Sequence, residues 1–435
     1  MKLKLAFFLS LFLSTLSITP AYADVSPTVI NNIKQYTQQH QNEQLALLKT
    51  LVNINSGSPN MPGVYQVGKT LQPQLEQLGF KTWWVKEPSS MQRAGTLMAE
   101  HDGSSNQHIL LIAHLDTVFS KESPFQQYSQ KGNQAYGPGV LDDKGGDVVV
   151  LYALKALQSI NALQNANITV AFVGDEEDSG KPASISRKPL IDAAKHSDVA
   201  LEFEGAFDLN SATIARRGIT GWMINSKGRS GHSSNIFQPN VGDGAVFELA
   251  RILNSMRVQL ANQQYLTFNP GLVLGGTQLS FNQNDSEGSA SGKQNVIAGS
   301  ATASGDLRYI SNQQKLQAEG AIQTIVNHHL PNTSANVVFK DGIPAMQPTA
   351  GNKALLATYS DVSQQLGAGP VHALDASLRG ASDISYVAGI VPKNLAGLGP
   401  VGSGAHSVRE SVEINSLPIT TARTAVLIYQ LTHQS

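Results

Sequence analysis

The sequence predicts an α/β fold with a second, α+β unit inserted into it, and three observations carry that expectation. Three apolar runs, 108–113, 168–173 and 199–203, each end in ionisable groups: His114-Leu-Asp-Thr-Val, Gly174-Asp-Glu-Glu-Asp178 and Glu204. Continuous apolar runs suit strands buried on both faces, and open α/β sheets place their ligand sites at such strand ends. Near Arg216 the pattern changes to a β-α-β-β-α-β order that fits a compact α+β unit. From Ala350 the helical and apolar-strand patterns of the first unit return. The expected division is therefore 24–216 and 345–435 for one discontinuous unit, with 217–344 inserted.

Each element follows from local pattern. Residues 27–53 and 62–78 place Leu45, Leu48, Leu51 and similar side chains at helical spacing. Short strands are expected at 81–85 and 96–99, and an apolar helix over 147–157. In the inserted unit, 220–226 alternates as a half-exposed strand does and 242–258 is amphipathic. Strands are expected at 272–281, 295–309 and 336–340, with a helix over 313–329 between the last two. The closing segment reads as helix 353–366, a helix around 382–387, a strand around 393–398 and helix 418–431.

Composition narrows the function. Lys2 and Lys4, an apolar run from Leu5 to Leu16 and Ala21-Tyr22-Ala23 form a signal peptide expected to be cut after Ala23. The run is too short to span a membrane comfortably, so a periplasmic or secreted protein is expected, with no membrane attachment after cleavage. The chain has no cysteine, which removes disulfides, thiolate nucleophiles and Cys-type zinc sites. Charged residues make up 14% and the formal net charge is −1, so no basic stripe for nucleic acid exists.

The chemistry lies in Ala135-Tyr-Gly-Pro-Gly-Val-Leu-Asp-Asp-Lys-Gly-Gly146. Asp142 and Asp143 repel unless a cation sits against one of them: Lys144 on a solvated surface, or a metal in a cleft. The other acidic clusters favour the metal. Four acids in succession, Asp175 to Asp178, would otherwise face one another at a strand mouth. Carboxylates with imidazole and no thiolate suit zinc in an open site. His114 and Glu204 are candidates for one metal, Glu177 and a distant His for the other, with one Asp bridging. Two metals about 3.5–4 Å apart clamp a water and polarise a carbonyl, which leaves Glu176 as the base that activates the metal-bridging water. His406, in Gly402-Ser-Gly-Ala-His-Ser-Val-Arg-Glu-Ser-Val-Glu, is the distant His that fits.

Taken together and in order, His-Leu-Asp-Thr-Val, Tyr-Gly-Pro-Gly-x-x-Asp-Asp-Lys-Gly-Gly, Asp-Glu-Glu and Gly-x-His-Ser resemble the zinc exopeptidase family of glutamate carboxypeptidase, aminoacylase-1 and succinyl-diaminopimelate desuccinylase. The glutamate carboxypeptidase branch is the most similar of these. The resemblance implies a zinc-exopeptidase-like catalytic domain with a mixed, mainly parallel sheet between helices, and a ferredoxin-like lid and dimerisation domain. It implies two zinc ions per subunit: His114 and Glu204 on one, Glu177 and His406 on the other, Asp142 bridging through a cis Asp142–Asp143 peptide. Glu176 would be general base and proton donor, and Asp116 would orient His114.

The same resemblance implies that His232, in Gly231-His-Ser-Ser, reaches the partner subunit's site to stabilise the oxyanion, so that the chain works as a homodimer through the lid. Asn295 and Arg308 would bind the substrate carbonyl and carboxylate. The implied reaction is cleavage of a peptide or N-acyl amide bond next to a free carboxylate, on a small peptide or N-acyl amino acid. A deacylase on the same fold is the alternative, and a non-enzymatic periplasmic zinc-binding protein the remote one. The family's glutamate-gripping Lys and Arg are replaced at Ser211 and Ile343, with Arg216 and Arg217 nearby as substitutes.

Overall fold

The computed structural model describes residues 25–282 and 287–433; the expected signal peptide lies outside them. The chain opens with α1 (Pro27–Gln39) and α2 (Gln41–Val52). Ser26 caps α1, its hydroxyl accepting from the Val29 amide, and Pro27 follows at the first helical turn, where its missing N–H costs nothing. The single helix expected over 27–53 breaks at His40, whose ring and amide both turn back to the Tyr36 carbonyl. Then come α3 (Met61–Gln77), β1 (Lys81–Val85), β2 (Thr96–His101), β3 (His108–His114), β4 (Ser129–Lys131), β5 (Gln134–Tyr136) and α4 (Lys144–Ser159). The segment ends with β6 (Asn167–Val173), α5 (Ala183–Ser186), α6 (Lys188–Ala194), β7 (Val199–Glu202) and β8 (Ser211–Ala212).

The inserted unit runs β9 (Gly218–Gly228), α7 (Gly244–Leu260), β10 (Thr267–Gly276), β11 (Gln278–Asn282), β12 (Glu287–Ser291), β13 (Ser300–Tyr309), α8 (Asn312–Asn327) and β14 (Thr333–Asp341). Its sheet is antiparallel in the order β10-β13-β9-β14. Both helices cover one face over a separate core of Trp222, Ile224, Leu249, Ile252, Leu307 and Ile322. The one strand expected over 272–281 is two: the chain leaves the sheet at Thr277, and β11 pairs only with β12. The polar, exposed residues of β12 carry no apolar alternation from which that hairpin could be read.

The chain then returns with α9 (Ala350–Gln365), β15 (His372–Ala373), α10 (Ile384–Val387), β16 (Lys393–Leu395), β17 (Gly402–Ser403), β18 (Ser411–Glu413) and α11 (Ser416–Thr432). The central sheet has the order β1-β2-β6-β3-β7-β16. It is parallel from β6 to β16 and antiparallel at the β1-β2 edge. Side chains of β3 alternate between two cores, as the pleat requires. Ile109, Leu111 and Ala113 face the larger core with α4 and α11, while Leu110 and Ile112 face a smaller one with Leu190, Ile384 and Val387. The sheet is thus sandwiched between helical layers, as an apolar run without alternation demands.

A small antiparallel sheet, β17-β18-β5-β4, sits beside it. It pairs Ser411 with Tyr136 and so fixes the turn after β5 against the loop between β17 and β18.

Candidate metal centre and active site

Five side chains converge from five separate loops. His114 ends β3, Glu177 follows β6, Glu204 follows β7, Asp142 lies in the turn between β5 and α4, and His406 lies between β17 and β18. They form two trios, His114–Asp142–Glu204 and Asp142–Glu177–His406, each with ligand atoms within 4.8 Å of one another. Asp142 is common to both. Its Oδ1 lies 3.0 Å from His114 Nε2 and its Oδ2 3.1 Å from His406 Nε2. His406 Nε2 is also 3.0 Å from Glu177 Oε2.

The donor set fits divalent cations. Two imidazole nitrogens aim at the two oxygens of one carboxylate, an arrangement that protons or cations must hold together. Without metal, protons do it: bonds to Asp142 and Glu177 push His406 up to about 11. Burial opposes charge on His114, yet Asp116 and Asp142 hold it well above the ordinary imidazole range. Glu177 Oε1 is buried with no partner among the described residues. Nitrogen and carboxylate oxygen without thiolate is a zinc-type ligand set for an open, catalytic site. Glu176 lies beside a ligand; burial, and then the charge of Asp383, push its carboxyl well above the usual range.

Backbone geometry presents these groups. The Asp142–Asp143 peptide is cis. His406 has φ of +62°, a left-handed conformation uncommon for a residue with a side chain. A Cβ on Gly146 would meet Asp143 Oδ1 and the Phe203 carbonyl at 2.2 Å each, so only glycine lets α4 start this close to the ligands. Asp116, wholly buried, steadies three parts of the site at once. Its Oδ1 lies 3.3 Å from His114 Nδ1 and accepts from the Glu176 amide, while its Oδ2 accepts from the Glu177 amide and the Ser58 hydroxyl. Lys144 is buried as well, its Nζ donating to the Ile54 carbonyl at 2.8 Å, so it is no solvated counter-charge for the aspartates.

Two supporting groups, Glu410 and Arg187, had no signal in the sequence, and a third, Arg216, was expected only as a substitute grip on substrate. Glu410, four residues after His406, is fully buried and accepts the amides of Gly139, Leu141 and Asp142 at 3.1, 2.8 and 3.0 Å. Arg187 spans Asp175 and Asp383 at 2.7 and 2.6 Å. Arg216 bonds Glu202, the ligand candidate Glu204 and the Gly380 carbonyl. Each pairs residues far apart in sequence through ordinary-looking charges, which periodicity cannot reveal.

Among the described residues, no hydrogen bond or ion pair joins the inserted unit's candidates to this cluster. His232 is exposed, its ring bonded to Ser234, and its neighbour Ser233 donates to the Asn295 carbonyl. Arg308 pairs with Asp306 at 2.8 Å. Of the two arginines expected to substitute for the missing grip, Arg216 is committed to Glu202 and Glu204, and Arg217 donates to the Thr267 hydroxyl. Ser211 lies in β8, and the Ile343 carbonyl accepts from Ile219 where the chain leaves the inserted unit.

A three-layer α/β unit with carboxylates and imidazoles clustered at its strand ends fits a metal-dependent hydrolase. Its sequence over residues 110–430 matches the family described as Peptidase family M20/M25/M40. The chain belongs to that family. It is 29% identical to carboxypeptidase G2 of Pseudomonas sp. (strain RS-16) over 413 residues, 91% of each chain. It is 23% identical to succinyl-diaminopimelate desuccinylase of Gluconobacter oxydans (strain 621H), covering 86% of this chain and 94% of that one. Among solved structures it resembles aminopeptidase PepT from Bacillus cereus ATCC 10987, with a TM-score of 0.70 at 17% identity over 90% and 98% of the two chains. It also resembles the YXEP protein of Bacillus subtilis, described as a dinuclear metal-binding peptidase, with a TM-score of 0.63 at 14% identity over 92% and 100%.

Proposed function

We propose that this protein is a two-zinc carboxypeptidase or amidohydrolase that cleaves a peptide or N-acyl amide bond next to a free carboxylate, outside the cytoplasm. The observation that carries the reading is the shared carboxylate of Asp142 between two ligand trios, with Glu176 alongside. Bound zinc supplies Lewis acidity toward the scissile carbonyl and water. The protein's own groups do the rest. Glu176 takes a proton from the attacking water and returns it to the leaving nitrogen, a role suited to a sunken carboxyl whose proton affinity is already raised. Asp116 keeps the His114 ring in one tautomer and orientation. Asn295 and Arg308 bind the substrate carbonyl and carboxylate from the lid, and Arg308 exchanges its Asp306 partner for the substrate's carboxylate.

His232 is too exposed within its own chain to serve a closed site, which supports its acting on the site of a partner subunit across a lid-mediated homodimer. The desuccinylase relative favours N-acyl amino acids as a second substrate class on the same machinery. The test is hydrolysis of matched dipeptides and N-acyl amino acids by zinc-loaded protein. Turnover is expected to fall by about 10²–10⁴-fold in Glu176→Ala with both metals retained. Two bound metals without turnover in the wild type would instead mark a metal-binding protein.

A further inference from the structure

Arg379 differs from the other arginines around the site. Arg187 and Arg216 each span two carboxylates. Arg379 has no carboxylate partner among the described residues; its one hydrogen bond runs from Nη2 to the Gly205 carbonyl. Its Nε is buried and unpaired, whereas Nη1 is neither bonded nor sealed from solvent. The guanidinium is seated by design of the surrounding backbone. Gly397 has φ of +72°, and a Cβ there would stand 3.2 Å from Arg379 Nη2 and 3.3 Å from Thr213 Oγ1. Gly205 directly follows the ligand candidate Glu204, and the acids acting on Arg379 are Glu204, Glu202 and Asp142. The carboxylates of Glu202 and Glu204 are already engaged by Arg216, which also repels Arg379.

A guanidinium has five N–H donors and no acceptor, and removing it from water is costly without an anion beside it. With one donor used, Arg379 presents a fork with an open edge, on the catalytic unit and bonded next to Glu204. The lid's Arg308 lies on a different unit and is assigned above to the carboxylate next to the scissile bond. An anion at Arg379 is therefore an additional one.

We infer that Arg379 is a specificity-determining residue that binds a second carboxylate of the substrate, so that the preferred substrates are dicarboxylic. This rests on the hydrolase reading above. The second carboxylate belongs either to an acidic side chain on the leaving amino acid or to a diacid acyl group. Ser211 and Ile343, which stand where glutamate-gripping charges were expected, supply no cation, whereas Arg379 has no carboxylate partner among the described residues.

The experiment compares kcat/KM of the zinc-loaded protein on two matched pairs: peptides ending in Glu or Gln, and one amino acid bearing N-succinyl or N-acetyl. One pair is expected to favour its acidic member by about 10–100-fold, the worth of a charge-assisted hydrogen bond; which pair does so names the source of the carboxylate. In Arg379→Gln that preference disappears while the neutral member keeps its rate within about threefold, and Arg379→Lys restores part of it. Calorimetric binding of glutarate against butyrate reads the same preference without turnover, so an inactive protein that still prefers glutarate through Arg379 would refute the hydrolase reading alone. Wild-type protein that treats both pairs equally, or Arg379→Gln that lowers acidic and neutral members alike, would overturn the inference even if hydrolysis is confirmed.

Discussion

Glu410 offers a sharp test of how the metal centre is held. One carboxylate accepts three amides of the turn that carries Asp142, and it lies four residues beyond His406, so it ties the loops of two proposed ligands together. Glu410→Gln keeps one acceptor oxygen, which can serve Leu141 and Asp142 as Oε1 does now. The new amide nitrogen then faces the Gly139 N–H, donor against donor. Leaving that buried donor unpaired costs about 1–3 kcal/mol. If the cost falls on the placement of Asp142, zinc affinity drops by about 10–100-fold, as for other groups that orient metal ligands. Burial pushes Glu410 up to about 7, so the comparison belongs at pH 8, where the wild-type group is ionised. The assay is competition for zinc with a chromophoric chelator, beside denaturant unfolding of the metal-free protein. Wild-type zinc affinity in a variant that is merely less stable would show that Glu410 braces the fold and not the ligands.

Further outcomes follow from the same contacts. His232→Ala and Glu176→Ala proteins, each inactive alone, should regain activity when unfolded and refolded together, because a mixed dimer of the proposed kind would hold one site with Glu176 and the partner's His232; activity absent from the mixture would refute action of His232 across subunits. Arg216→Met leaves buried Glu202 and part-buried Glu204 without their cation, and unfolding free energy is expected to fall by about 3–5 kcal/mol; a loss under about 1 kcal/mol would mean the pair carries little. Glu87 is raised by burial, and by the facing Asp175 against the pull of Arg187, from 4.5 to about 7. The stability it contributes to metal-free protein is thus complete below about 4.5 and lost as pH rises through about 7. Glu87→Gln should flatten that slope and be more stable than wild type at pH 8 by about 1 kcal/mol after solvent screening. Parallel pH–stability curves for the two proteins would refute this.

The convergence of the candidate residues was more legible in the sequence than the scaffold around them. His114, Glu177 and Glu204 were legible because each follows a strand whose apolar run leaves no ambiguity about burial, and strand ends are where such sheets put ligands. His406 and Asp142 were legible through the glycines that shape their loops. The small sheet that fixes those loops was not: β4, β5, β17 and β18 have two or three residues each, too short for any periodicity. The expected strand over 295–309 begins only at Ser300, since residues 295–297 are held by single contacts to the His232 loop. Glu410, Arg216 and Arg379 look like surface charges in sequence, and only the fold shows that each is drawn inward.

The insertion of a whole unit between the first five strands of the central sheet and its sixth also sets the order in which this molecule is completed. The unit from β9 to β14 is continuous in sequence and has a core of its own, so it can condense as soon as it leaves the ribosome. The central sheet cannot: β16 must find β7 across the entire inserted unit, and His406 comes later still. Contacts between segments so distant form slowly. A nascent or truncated chain that stops before residue 406 carries four of the five candidate ligands and lacks the fifth. The segment after the inserted unit brings the last residue of the candidate site, so capture of metal would report that both parts of the discontinuous unit have come together.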